Sequence, residues 1–204
     1  TGGDSGRAGG DWQGVGTLAP ARSVTMQAGA SIDVSATGLG DGGTAVLWSD
    51  VHQAASVTSA SGTIRALGGA LGGDGGRVET SGYTLFTDGL SVDTRASSGR
   101  TGLWLLDPVD ITIATSGGNL TPTQLRDGLL TSNVTISTAG SGSATGVSPS
   151  YSAGSGNITI SNQIESLSPN SLTLTADNNI NVNAIVAMGG ALTLTAGNAI
   201  NLGA

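Results

Sequence analysis

Apolar and polar positions alternate with period two through most of the chain. Residues 172–176 read Leu-Thr-Leu-Thr-Ala, 133–137 read Asn-Val-Thr-Ile-Ser, and 111–113 read Ile-Thr-Ile. This alternation sends successive side chains to opposite faces of a strand, with one face buried. Strands are expected at 23–28, 31–35, 44–48, 63–66, 77–80, 84–87, 90–94, 103–106 and 110–114, and again within 133–137, 157–161, 172–184 and 192–204. Each is short, and turn residues follow at once. One segment breaks the period. Thr121-Pro122-Thr123-Gln124 has the layout of a capping box, with Thr121 as N-cap, Pro122 at N1 and Gln124 at N3. Leu125, Leu129 and Leu130 then fall on one face, so 122–130 is expected to be a short helix packed against the side of the strands. Residues 138–156 read as a long polar loop.

The strands repeat. LTLTADNNINVNA at 172–184 recurs as LTLTAGNAINLGA at 192–204, identical at nine of thirteen positions with an offset of 20. NVTIS at 133–137 recurs as NITIS at 157–161, offset by 24, and Asp41-Gly42-Gly43 recurs as Asp74-Gly75-Gly76, offset by 33. Because the equivalent strand comes a whole repeat later, the natural pairing is parallel. Short strands, parallel pairing and a repeat of this length describe the coils of a β-solenoid. The expected fold is therefore all-β, a right-handed parallel β-helix with one short helix and one long polar loop. It is expected as a single segment of a larger protein: Gly-rich irregular coils over 1–114, a helix-and-loop excursion over 115–156, and regular 20-residue coils over 157–204. Roughly nine coils at the interstrand spacing would span on the order of 43 Å. Leu174, Ile180, Leu194 and Ile200 should point inward, and one of Trp104 and Leu105 should do so as well.

Composition narrows the function. The chain has 204 residues with 35 Gly, no Cys and no Lys; its seven cations are all Arg, and its net charge is −7. Scattered Arg on an acidic chain argues against a nucleic-acid partner and against an anionic membrane surface. No apolar run approaches spanning length, so membrane insertion is not expected. Low charge with regular Val, Ile and Leu argues against disorder. Residues 1–10 are Gly-rich and carry no apolar signal-peptide core, so any targeting part is expected upstream.

The middle of the chain carries a resemblance. Gly102-Leu103-Trp104-Leu105-Leu106-Asp107-Pro108 followed by Val109-Asp110-Ile111-Thr112-Ile113 resembles the G-x-W-L-L-D-P-x-D-I-T-I segment of filamentous-haemagglutinin-like exoproteins. DGGTAVLWSD at 41–50, GGDGGRVETSG at 72–82 and TPTQLRDGLLTSNVTIST at 121–138 resemble neighbouring segments of that family, and the likeness spans roughly 24–202. The resemblance implies export by two-partner secretion through an outer-membrane Omp85-type transporter, folding outside the cell into a β-helical fibre, and a place at the bacterial cell surface. It implies a structural or adhesive role, in adhesion or biofilm formation, with a possible host-cell, glycan or biofilm-matrix ligand. It supplies no catalytic residues. The Asn-Pro motifs of the family's secretion domain are absent, as no Asn precedes residue 119.

Candidate chemistry is sparse. β-Helical polysaccharide enzymes need neighbouring carboxylates, and Asp107 and Asp110 are close in sequence, as are Asp88 and Asp93. Asp107-Pro108 and Asp88-Gly89 read more simply as turns. Gly72–Gly76 lacks the nine-residue period of Ca²⁺-binding repeats and reads as a Gly-rich corner. Thr173 and Thr175 over Thr193 and Thr195 should form an outward Thr ladder. Asn178 over Asn198 and Asn181 over Asn201 should form amide ladders. His52 reads as an exposed loop residue, Trp48 and Trp104 as packing residues, and Trp12 as open to solvent. The chain is expected to be no enzyme, with no catalytic, cofactor-binding or metal site. The alternatives are a ligand-binding module for a host protein, glycan or haem carrier, using the 138–156 loop or the helix, and a β-helical polysaccharide-active enzyme. The uncapped pattern at 191–202 leads to the expectation that further coils follow Ala204 and that the isolated chain self-associates through that edge.

Overall fold

The computed structural model describes residues 2–138 and 156–203. In chain order its strands are β1 (Ser5–Ala8), β2 (Ser23–Met26), β3 (Ser31–Asp33), β4 (Thr44–Trp48), β5 (Val57–Ala60), β6 (Gly62–Arg65), β7 (Arg77–Gly82), β8 (Thr84–Phe86) and β9 (Leu90–Asp93). Then come β10 (Leu103–Pro108), β11 (Ile111–Ile113), the helix α1 (Pro122–Thr131), β12 (Asn133–Ser137), β13 (Ile158–Ile160) and β14 (Ile164–Ser166). The last five are β15 (Leu172–Ala176), β16 (Asn179–Val182), β17 (Val186–Met188), β18 (Leu192–Ala196) and β19 (Ala199–Leu202).

The fold is all-β with parallel sheets and one α-helix among the described residues. The largest sheet has seven strands, ordered β1-β4-β7-β10-β12-β15-β18. Beside it lie β2-β5-β8 and β3-β6-β9 in one half, and β11-β13-β16-β19 and β14-β17 in the other. The chain returns to the seven-stranded sheet after every two further elements. The expected strands all form. β1, β5, β14 and β17 form in addition, in segments where the alternation is weak. Seven strands, not nine, stack in the largest sheet, because the spacing between equivalent strands is 20 residues only at the end. It is 39 from Ser5 to Thr44 and 33 from Thr44 to Arg77.

The two exact offsets become pairings: Thr44 faces Arg77, and Leu172 faces Leu192. The third repeat does not. NVTIS forms β12 in the seven-stranded sheet, whereas NITIS forms β13 in the four-stranded one, so the two never stack. Alternation alone cannot tell which sheet a short strand will join. Glycine keeps the main stack tight at its corners: a Cβ on Gly76 would collide with the carbonyl oxygen of Gly43 one strand below.

Inward rows fill one continuous core that includes Leu47, Val78, Trp104, Leu106, Ile136, Leu174 and Ile180. Each aliphatic side chain so buried contributes roughly 1.5–3 kcal/mol. Leu174 and Ile180 are inward as expected. Leu194 is only partly buried and Ile200 is 43 % exposed, since β18 and β19 have a neighbour on one side only.

The helix forms with its capping box complete: the Gln124 backbone N–H donates to Thr121 Oγ1 at 3.1 Å, and the Gln124 side chain returns to the Thr121 backbone N–H at 2.9 Å. Leu125 and Leu129 enter the core, but Leu130 is exposed. The helix is more than a side attachment. It packs against β9, β12 and β14, occupying the position between β9 and β14 where no strand lies. Thr131 Oγ1 donates to the Val92 carbonyl at 2.6 Å on the β9 side, and Asn170 Nδ2 donates to the Leu129 carbonyl at 2.9 Å on the other. Within 115–156, expected as an excursion, α1 thus joins the core and β12 the largest sheet. Of the 138–156 loop, residues 139–155 lie outside the described residues.

Candidate functional site

The outer face of the seven-stranded sheet departs from simple alternation. Strand register aligns Val46, Glu79 and Leu105 in one outward row, and Trp48, Ser81 and Asp107 in the next. All six are at most 3 % exposed. Trp104 and Leu105, of which one was expected inward, are therefore both buried. Trp104 lies in the core, and Leu105 lies on the covered outer face.

The cover over β4 and β7 is the segment of residues 9–18, with a 3-10 turn at Trp12–Gly14. Trp12, rather than standing open, packs on Val46, Trp48 and Val51, with the Arg77 guanidinium 4.3 Å from its ring centroid. A Cβ on Gly10 or Gly14 would meet the Trp48 indole at 2.5 or 2.6 Å. Asp11 ties the segment back, accepting from Arg7 at 2.6 Å and from the Leu18 N–H at 3.2 Å.

Under this cover sits the Glu79 carboxyl, and a second buried carboxyl, Asp107, lies on the next strand. The Gln13 backbone N–H donates to Glu79 Oε2 at 2.6 Å, and Ser81 Oγ donates to Glu79 Oε1 at 2.7 Å. Asp107 is diagonal to Glu79 across neighbouring strands on the same face, roughly 8 Å away by backbone spacing. Its Oδ2 is buried without a hydrogen-bond partner among the described residues, as is Trp48 Nε1. Burial pushes the Glu79 carboxyl up to about 7, against the opposing pull of the Gln13 N–H, Ser81 and Arg77. Burial, then the charge of Glu79, holds Asp107 well above its ordinary value. Two buried like-charged groups resist joint ionisation, so the pair retains a proton near neutrality. General acid–base work needs hydrogen-bond reach to a substrate, and both carboxyls are buried. Sequence reasoning missed Glu79 because nothing local marks it as buried.

The other candidates are dispersed. Asp107 and Pro108 belong to β10 rather than to a turn, and Pro108 ends that strand, where its missing N–H is tolerated. Asp110 is exposed and accepts from the Asn157 N–H at 2.9 Å. Asp88 lies in an exposed turn with Gly89 at φ +75°. Partial burial works against Asp93, but the Arg95 hydrogen bonds at 2.6 and 2.9 Å outweigh it and lower its pKa. In the Gly72–Gly76 corner, Asp74 is part of an exposed ladder: its N–H donates to Asp41 at 2.7 Å, and its carboxylate accepts the Arg100 N–H at 2.8 Å and guanidinium at 2.7 Å. His52 is exposed in a turn. Asn201 Nδ2 reaches Asn181 at 2.8 Å as expected, but Asn198 donates to Asn179 at 2.9 Å, not to the side chain of Asn178. Thr173 and Thr175 stack on Thr193 and Thr195, facing outward. Among the described residues no group of three or more His, Cys, Asp or Glu is placed to hold a metal ion, and no helix is long and apolar enough to cross a membrane.

Comparison with protein-family models finds no match, and comparison with curated proteins finds none either.

Proposed function

We propose that the chain is a structural or adhesive segment of a secreted bacterial surface exoprotein of the filamentous-haemagglutinin-like kind, wound as a right-handed parallel β-helix. The observation that carries this reading is the W-L-L-D-P block, seated as the central strand of a seven-stranded parallel stack. Regular return of the chain to one sheet is what a β-helix requires. The residues of this chain serve packing: Trp104 fills the core, Gly76 lets strands approach, and Asp74 and Asn181 bond along the stack. On this reading the protein is no enzyme, passes an Omp85-type transporter in unfolded form, and holds binding regions away from the cell in adhesion or biofilm formation.

Antibodies raised against the chain test the location: they should label intact cells of the encoding bacterium, and lose that signal when the partner transporter is deleted. Labelling only after permeabilisation would refute secretion. Deleting the coding region should weaken surface attachment or biofilm cohesion. A screen against pectins, alginates, glucans and chitin should give no turnover; turnover abolished by Asp107→Ala or Asp110→Ala would favour the enzyme reading.

A further inference from the structure

We propose that residues 9–18 form a proton-latched strap, closed over the outer face of the seven-stranded sheet while Glu79 is protonated and released when Glu79 ionises. The strap lies where an ordinary outward row would meet water. Its hold on the sheet is local: the Trp12 and glycine contacts with Trp48, the Arg77 guanidinium against Trp12, the Asp11 pairing with Arg7 of β1, and one main-chain hydrogen bond, Gln13 N–H to Glu79 Oε2 at 2.6 Å. Gln13 makes that bond from a left-handed backbone conformation, φ +52°, the one non-glycine residue with positive φ among those described. Such a conformation persists only where surrounding contacts impose it. Here the contact is the covered carboxyl.

In the closed state a neutral Glu79 is fully satisfied. One oxygen accepts the Gln13 N–H, and the other can donate to the Ser81 hydroxyl, which is free to act as donor or acceptor. An ionised Glu79 is an acceptor only, sits away from water, and faces a second carboxyl. Among the described residues the groups that bear on it are few. Arg77 on its own strand attracts it, although that guanidinium is also engaged with Trp12. Asp107 faces it from β10. From the strap comes Asp11, already paired with Arg7 of β1. β4 presents only Val46 and Trp48 there. Opening the strap returns the carboxylate to water, where it ionises in its ordinary range, so a rise in pH favours the open form. Because burial moves the closed-state carboxyl up to about 7, the shift towards the open form runs from the ordinary carboxylate range up to about pH 7 and is complete above it.

Hydrogen–deuterium exchange on the whole chain, corrected for the intrinsic rate, reads closure at residues 9–18. Protection there should fall by up to about tenfold per pH unit from the ordinary carboxylate range to about pH 7 and level off above it, while peptides from β15 keep theirs. Glu79→Gln, neutral at every pH, should hold the strap's protection constant from pH 5 to pH 9. Constant protection in the wild type, or the wild-type profile retained in Glu79→Gln, overturns the proposal. Should that variant not fold, the ¹³C shift of the Glu79 carboxyl in the wild type decides. A midpoint near 7 supports the latch, and one in the ordinary carboxylate range overturns it.

Discussion

Trp104 Nε1 donates to Thr80 Oγ1 at 3.0 Å, joining β10 to β7 through two side chains inside the core. The bond satisfies the only polar atom of a large buried ring and fixes its plane. Gly128 of α1 packs against that ring, with an added Cβ only 2.7 and 2.9 Å from ring carbons. The helix can fill its place between β9 and β14 because residue 128 has no side chain.

Gly128→Ala should therefore destabilise the protein. In an exposed helix this change would stabilise by about 1 kcal/mol; against a locked indole, overpacking costs about 1–3 kcal/mol. Trp104→Ala, which empties the same site, should cost about 3–5 kcal/mol, and Leu105→Ala about 2–5 kcal/mol because it too is buried. Urea unfolding midpoints measure all three, and a neutral Leu105→Ala would mean that the outer face is not sealed there.

Ile180 and Ile200 hold equivalent places one repeat apart. Ile180 is fully buried and Ile200 is 43 % exposed. Ile180→Ala should cost about 2–5 kcal/mol, and Ile200→Ala under about 1 kcal/mol. Equal losses on thermal unfolding would contradict the difference in burial.

The helix cap offers a smaller, local change. Thr121→Ala removes the acceptor of the Gln124 N–H and should cost about 0.5–2 kcal/mol. Gln124→Ala should cost somewhat more than an ordinary capping-box residue, since its Nε2 also donates to the Thr87 carbonyl at 2.8 Å. Chemical denaturation of both variants checks the order.

Stability should peak in mild acid. Glu79 and Asp107 have raised folded-state pKa values, so near neutrality the fold binds more protons than the unfolded chain. Their contribution is fully present below the ordinary carboxylate range and is lost as the pH rises to about 7 and beyond, on the order of 3 kcal/mol for Glu79. Asp74, held low by the Arg100 N–H, and Asp93, held low by Arg95, act in the opposite sense and are lost as the pH falls below that range. The unfolding midpoint should be higher at pH 5 than at pH 8. Asp107→Asn should flatten that slope, and a midpoint that rose from pH 5 to pH 8 would contradict the assignment.

By itself the sequence determined the strand alternation, the helix and its cap, and the register wherever a repeat recurs with marked residues, as at Asp41-Gly42-Gly43 and Leu172. These are properties of neighbouring residues: which face a side chain takes, which N–H a hydroxyl can reach, where a glycine is needed. Only the tertiary structure decided that Asn133–Ser137 and Ile158–Ile160 join different sheets, that α1 stands in a strand's place, and that Glu79, Leu105 and Asp107 are covered. Alternation says that Glu79 shares a face with Arg77 and Ser81. That this face is dry depends on Gln13, 66 residues away, and a contact of that range leaves no mark in the residues around either partner.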